Sequence, residues 1–273
     1  MIEKYYVSPT LFQDSPLNSH SLTRFEAGNL VDSYLLPEKE YGKRTRLSRT
    51  TSQNEDNGNN SIPPQAIRAS DPSTSFTYGE FPFESLDMLI DVSLQCCEQQ
   101  GKSSSPFCFL DLGSGCARLC LYLALSRPCW EIHGIEAMES LHGEASRAVQ
   151  LGIDNGWFVA DKKNLDDSTM TTTSSSLHLH CGLAHEFPDI LQKADIIFMY
   201  STAMQMGPFL PDVQGVLLSD EWNDLLSRHC RPGTILVTTD RVLNPSLGWE
   251  LLDRIDVPNP EVLGSTGFIQ RKS

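Results

Sequence analysis

The sequence predicts an α/β fold: a doubly wound, mostly parallel sheet preceded by a flexible N-terminal arm. Three observations predict it. From Phe76 onward, short apolar runs alternate with segments of helical spacing, the pattern of strands joined by crossover helices. A turn rich in glycine, Asp111-Leu112-Gly113-Ser114-Gly115, follows one of those runs directly and opens a helical segment, which places a ligand-binding bend at the strand-end edge of such a sheet. Before Phe76 the chain turns polar and low in complexity, unable to bury enough surface to offset its ordering entropy. The expected organisation is an arm over residues 1–75, low in complexity and partly disordered, and a folded domain over residues 76–273.

Taken in order, the arm offers one short apolar element, Leu30 to Leu36, and then the polar tract from Arg49 to Ser61, followed by Pro63-Pro64. Lys43, Arg44, Arg46 and Arg49 form a small basic cluster. It reads as a solvated linker, with DNA contact or a localisation signal as the alternatives. Phe83, Leu86, Leu89, Ile90, Leu94 and Cys97 recur at helical spacing up to Gln100. Phe107 to Leu110 reads as a buried strand, Cys116 to Ser126 as a helix, Trp130 to Ile135 as a strand and Ala137 to Leu151 as a helix. Asp161 to Ser176 reads as a loop insertion. Leu177 to Cys181 and Ile196 to Met199 are strands, Trp222 to His229 a helix, and Thr234 to Thr238 a strand after the Pro232-Gly233 turn.

Composition bounds the function. The chain has 273 residues, 40% hydrophobic and 21% charged, and no apolar run approaches the ~18 residues of a membrane span. The first residues show neither a signal-peptide nor a transit pattern, so an intracellular protein is expected. Lys and Arg number 21 against 35 Asp and Glu, for a net charge of −14. Residues 1–75 carry 8 basic and 9 acidic side chains, so nearly all of that charge lies in the folded domain. A chain this acidic would repel duplex nucleic acid as a whole, while its field aids solubility and draws basic partners. The eight cysteines show no paired C-x-x-C spacing and no Cys/His quartet, so reduced thiols and no metal site are expected. His178 and His180 alternate along a strand, with His185 following, and read as solvent-facing for want of a fourth ligand.

The glycine turn carries the chemistry. Two glycines let the backbone bend tightly and approach a ligand closely. Asp111 adds a carboxylate at the strand end, and Glu136 ends the next strand, where an acid suits the two hydroxyls of a ribose. The third glycine of a dinucleotide fingerprint would fall at Arg118, so that fingerprint fails. S-adenosylmethionine bears a sulfonium cation and no phosphate, and it suits an acid ahead of the glycines.

A further block precedes this turn: Phe76-Thr77-Tyr78-Gly79-Glu80-Phe81-Pro82-Phe83, leading into a helix. Together with Asp111-Leu112-Gly113-Ser114-Gly115 and Gly134-Ile135-Glu136, it resembles the non-SET histone lysine methyltransferases, the family named for disruption of telomeric silencing. The resemblance covers residues 76–245. It implies a seven-stranded, Rossmann-like class I methyltransferase domain that uses S-adenosylmethionine. On this resemblance Tyr78, Gly79, Glu80 and Phe81 surround the methionyl group, Asp111, Gly113 and Gly115 line the cofactor, and Glu136 takes the ribose hydroxyls.

The sequence departs from that family at three places. Ala117 stands where the family has a glycine, and Arg118 where it has a glutamine. Cys181-Gly182-Leu183 replaces the family's Gly-Asp-Phe, which leaves Glu186 and Phe187 as the adenine contacts. The lysine-channel motif Asn-Asn-Phe-Ala-Phe becomes Tyr200-Ser201-Thr202-Ala203-Met204, so Tyr200 and Ser201 are the candidates to orient an acceptor. The function implied is protein (histone) lysine N-methylation, with chromatin as the setting and the nucleus as the place; otherwise the cytoplasm. The alternatives are a class I methyltransferase for another protein or a small molecule, and a cofactor-binding pseudoenzyme acting through interaction.

Overall fold

The computed structural model describes residues 2–7, 22–37, 40, 79–99, 107–127, 129–159 and 175–273. Tyr78, the basic cluster Lys43 to Arg49, the polar tract 49–61 and most of the 161–176 insertion lie outside the described residues.

Five strands form the parallel centre of a nine-stranded sheet: β2 (Cys108–Leu112), β3 (Glu131–Glu136), β5 (Ser176–Cys181), β6 (Ile196–Met199) and β9 (Ile235–Thr239). Each is buried almost throughout on both faces, as a parallel sheet covered by helices requires, with Asp111, His133, Glu136, His178 and His180 set among the apolar residues. An antiparallel hairpin, β10 (Trp249–Val257) and β11 (Ser265–Lys272), extends the β9 edge. At the other edge β1 (Ile2–Val7) pairs antiparallel with β5 and with the short β4 (Phe158–Val159). The order is therefore β10-β11-β9-β6-β2-β3-β5-β1-β4. The expectation of seven strands is corrected to nine, because β1 and β4 lengthen the β5 edge. A separate two-stranded hairpin joins β7 (Met206–Leu210) and β8 (Gly215–Leu218).

Helices cover both faces. On one, α2 (Phe83–Gln99), α3 (Arg118–Ser126) and α4 (Glu139–Asp154) bury Leu86, Leu89, Ile90, Leu121 and Leu141 against Phe109, Ile132, Leu177 and Phe198 of the sheet. On the other, α5 (Pro188–Lys193) and α6 (Asp220–His229) bury Leu191 and Leu226 against Leu110, Ile135, Ile197 and Leu236. The doubly wound reading holds. None of the helices among the described residues is long and apolar enough to cross a membrane.

Part of the expected arm belongs to the folded body. Besides β1, a helix α1 (Arg24–Leu30) continues into a π-helical turn, Val31–Leu35. Thr23 and Glu26 close a reciprocal capping box at its start. Val31 and Leu35 are buried in the main core, as are Ala27 and Leu36. Arg24 pairs bidentately with Asp91 of α2, and Arg118 of α3 pairs bidentately with Asp32 at 2.8 Å on both bonds. The boundary at residue 76 therefore cuts through the sheet and its helical cover.

Strand order runs outward from β2 through β3 to β5, then reverses to β6 and β9. The crevice at the carboxyl ends of β2 and β6 is the point where such sheets bind ligands. Asp111 ends one of these strands and Tyr200 follows the other.

Candidate active site at the ends of β2, β3 and β6

The bend after β2 is built by backbone that only glycine adopts freely: Gly113 and Gly115 have φ of 77° and 56°. The N–H groups of Gly113 and Ser114 donate to the Ile135 carbonyl at 2.9 and 3.0 Å, which ties the bend to β3. Gly134 lets it lie there, since a Cβ at that position would stand 2.8 Å from Ser114 Oγ. Ala117, where the resembled family has glycine, takes a left-handed φ of 60° as it opens α3.

Glu136 spans the gap between the two strand ends. Its Oε2 accepts from Gly115 N–H at 2.8 Å and its Oε1 from Met138 N–H at 2.7 Å. Burial pushes this carboxyl above the usual range, and the N–H groups of Met138, Gly115 and Ala137 pull it back. Asp111 is 3% exposed, and burial pushes it up to about 7; the Cys120 thiol at 3.8 Å lowers it and the charge of Glu136 raises it further. The two acids therefore share one electrostatic environment across the glycine bend. Among the described residues no Lys, Arg or His forms an ion pair with either.

The segment before α2 closes over the same edge. A Cβ at Gly79 would stand 2.7 Å from Glu261 Oε2 and 2.9 Å from the Tyr200 ring, so only glycine fits between them. The Glu80 N–H donates to Glu261 Oε2 at 3.2 Å, and the Glu80 carboxylate lies 3.5 Å from Arg118 Nε. Phe81 is 1% exposed and packs on Phe198 and Tyr200, with ring centroids 5.3 and 5.4 Å away. Its side chain belongs to the core, and its carbonyl accepts from Arg118 Nη1 at 2.9 Å. Tyr78 lies outside the described residues. Arg118, the departure from the family's glutamine, also lies 3.7 Å over the Phe83 ring. It thus joins the π-helical turn after α1 to the segment over 80–83 at the start of α2.

Glu186 and Phe187 sit at the end of β5, beside β3. Glu186 Oε2 accepts from Leu183 N–H at 2.6 Å, and both side chains crowd Gly182, whose N–H donates to the Glu136 carbonyl at 2.9 Å. They neighbour the Glu136 strand end.

The Tyr200-Ser201 pair divides. Ser201 is fully buried; its hydroxyl donates to the Thr239 carbonyl at 2.7 Å and accepts from Thr239 N–H at 3.1 Å. It locks the end of β6 to β9, and the acceptor-orienting role read for it is corrected to a structural one. Tyr200 is half-buried, and its hydroxyl accepts from Asn259 Nδ2 at 3.0 Å. Burial raises its phenol above the ordinary value; Asn259 lowers it, and Glu261 and Asp240 raise it. Asn259 and Glu261, in the turn between β10 and β11, carry no local sequence signal of this role. Met204 is a second addition: its Cε would lie 3.4 Å from a Cβ at Gly113, so its tip covers the bend.

The histidines are not solvent-facing. His178 and His180 are 6% and 1% exposed and stack with His133 of β3, because α5 and α6 cover the face on which they project. All eight cysteines are free thiols in the structure.

No protein-family model and no curated protein sequence matches the chain. Solved structures do. An RNA methyltransferase from Salinibacter ruber in complex with S-adenosyl-L-homocysteine is 18% identical, covering 71% of this chain and 95% of that one, with a TM-score of 0.42. TrmN from Thermus thermophilus is 14% identical, covering 74% of this chain and 52% of that one, at 0.43. MtNAS in complex with MTA and tNA is 11% identical, covering 97% of this chain and 80% of that one, at 0.42. Likeness of this degree decides no chemistry; that rests on the sheet and the residues at its edge.

Proposed function

We propose that this chain is an S-adenosylmethionine-dependent methyltransferase of class I. One observation carries the reading: two buried acids, Asp111 and Glu136, stand at neighbouring strand ends on either side of a glycine bend, each in the other's field and with no cation among the described residues paired to either. Such a pair suits a ligand that brings a positive charge and a pair of hydroxyls. Each oxygen of Glu136 has accepted one backbone N–H, and its remaining lone pairs are available to the ribose hydroxyls. Asp111, pushed up to about 7 by burial with the Cys120 thiol beside it, ionises readily beside a sulfonium. Gly113 and Gly115 leave the bend bare enough for close approach, and Met204 shields it from water.

When bound, S-adenosylmethionine supplies an activated methyl group, and transfer then depends mainly on positioning and on exclusion of water. Tyr200 stands over the crevice with its hydroxyl fixed by Asn259, placed to accept from an N–H of the acceptor and hold its lone pair toward the donor. Glu261 and Asp240 give this corner a negative field, which favours an amine-bearing acceptor on a basic protein. Within that class we favour lysine on a histone, on the resemblance of the 76–136 segment and the −14 charge of the chain; the setting is then nuclear.

The test is transfer of radiolabelled methyl groups to free histones, nucleosomes, RNA and lysate small molecules. Label in a histone lysine is expected. Label confined to RNA or small molecules would overturn the acceptor while keeping the enzyme. No label in any acceptor, despite cofactor binding measured by calorimetry, would overturn the enzyme in favour of a binding protein.

A further inference from the structure

At the opposite ends of the same strands stands a second concentration of reactive side chains. The register pairs Cys108 with Glu131 and His133 with His178. Alternate residues of a strand share a face, so Cys108, Glu131, His133 and His178 all project on the face covered by α5 and α6. The thiol of Cys108, the carboxylate of Glu131 and an imidazole nitrogen of His133 lie within 4.8 Å of one another. His133 Nε2 is 3.0 Å from Glu131 Oε1, and His178 Nε2 is 3.8 Å from that same oxygen. The two rings are stacked at 4.5 Å and 14°, so His178 lies directly beside His133 at the edge of this group. Cys108, His133 and His178 are buried, while Glu131 keeps a quarter of its side chain in solvent and gives access.

We propose that Cys108, Glu131, His133 and His178 form a tetrahedral zinc site that ties β2, β3 and β5 together at the end remote from the cofactor. Zinc bonds of 2.0–2.3 Å place neighbouring donor atoms about 3.3–3.8 Å apart; the Cys108, Glu131 and His133 donors lie within 4.8 Å of one another, and His178, which stands outside that group with its Nε2 3.2 Å from Ser176 Oγ, turns toward it when the ion binds. One thiolate, one carboxylate and two neutral imidazoles balance the dication. The outer hydrogen bond that ligating histidines need is in place, since His133 Nδ1 is 3.0 Å from His180 Nε2. The proton balance is explicit. Zinc displaces the Cys108 thiol proton to solvent; His133, bound through Nε2, carries its proton on Nδ1 and donates it to His180 Nε2, which leaves the proton of neutral His180 on its own Nδ1. Lys193, which now bonds to Glu131, is half exposed and turns outward.

The experiment titrates the full chain, stripped with chelator, with Co²⁺ and then Zn²⁺. One equivalent of Co²⁺ is expected to give the d–d absorption of a tetrahedral centre and a thiolate charge-transfer band, both lost on adding Zn²⁺. Cys108→Ser should abolish the charge-transfer band, and Cys181→Ser should not. Glu131→Gln, at a partly exposed position that keeps the fold, should weaken Zn²⁺ in chelator competition by at least about tenfold. His180→Asn should do so by about 10–100-fold, as loss of an outer partner does. Circular dichroism verifies the fold of each variant. A wild-type chain without tetrahedral cobalt absorption would overturn the proposal and leave an ion cluster of Glu131, His133 and Lys193. So would a spectrum unchanged in both Cys108→Ser and Glu131→Gln.

Discussion

At the scale of single residues, Asp111 and Glu136 tie stability to pH. The Asp111 carboxyl stands near 7 in the folded chain against an ordinary 3.8, so the folded protein keeps a proton that the unfolded chain releases. Its contribution is full below about 4 and is lost as pH rises through 7, by up to about 4 kcal/mol at 1.36 kcal/mol per pKa unit. Cofactor-free protein is therefore expected to melt at lower temperature at pH 8 than at pH 5, and Asp111→Asn to flatten that slope while weakening cofactor binding. Equal slopes for variant and wild type in scanning calorimetry would reject the assignment. Glu136 has two tasks. Besides the ribose hydroxyls, it satisfies the N–H groups of Gly115 and Met138, and a buried donor left alone costs about 1–3 kcal/mol. Glu136→Ala should thus weaken cofactor binding in calorimetry and also lower the cofactor-free melting temperature; unaltered affinity would reject the ribose role. These two acids and Gly113 and Gly115 were legible because they sit in one strand–turn–helix–strand stretch. Asn259 and Glu261 were not, since they arrive at Tyr200 and Glu80 from a distant turn that sequence spacing cannot bring near. Ser201 misled for a related reason: a hydroxyl at a strand end reads the same whether it faces a crevice or, as here, the neighbouring strand.

Among the elements, the parallel centre and α2 to α4 were readable because each shows one uninterrupted period or apolar run. The β10–β11 hairpin had no such signature: its register shifts between Leu251 and Asp253, which breaks the alternation that would mark a strand. The histidines of β5 alternate as on a half-exposed strand, but helices cover both faces of this sheet and bury them. For α1 the local signal is the Thr23–Glu26 capping box. α1 is tied to α2 by its Arg24–Asp91 pair, and the π-helical turn that continues it is held by Arg118, which pairs with Asp32, bonds to the Phe81 carbonyl and stacks on Phe83. Arg118→Ala strips all three at a largely buried position and should cost more than the loss of an exposed ion pair, about 0–1 kcal/mol. Asp32→Ala removes only one partner, at a more exposed site, and should cost less. Urea unfolding of both variants and the double mutant should give a coupling of about 0.5–3 kcal/mol. Strict additivity would mean that the ion pair does not hold the helix.

For the molecule as a whole, the question is where the folded unit begins. Composition placed the boundary at residue 76 because the polar tract between the two halves resembles a linker, and removal of residues 1–60 should then leave the fold intact. The structure argues otherwise. β1 lies within the sheet, paired on one side with β5 from Ile2↔His180 to Tyr6↔Ser176 and on the other with β4; α1 and its π-turn cover α2 and α3. Val7, Val31, Leu35 and Leu36 are each at most 4% exposed. At about 1.5–3 kcal/mol for each buried side chain, their combined contribution rivals the whole net stability of a domain, about 5–15 kcal/mol. Their loss would also leave the β5 edge unpaired, a template for association with other chains. A chain beginning at residue 61 is accordingly expected to lose its cooperative thermal transition and to aggregate. A chain beginning at residue 22, which loses β1 but keeps α1 and the Arg118–Asp32 pair, should fold with a lowered melting temperature. Circular dichroism melts and light scattering on the two truncations separate these outcomes. A soluble 61–273 chain with a wild-type transition would show that β1 and α1 are accessories to the sheet and not parts of it.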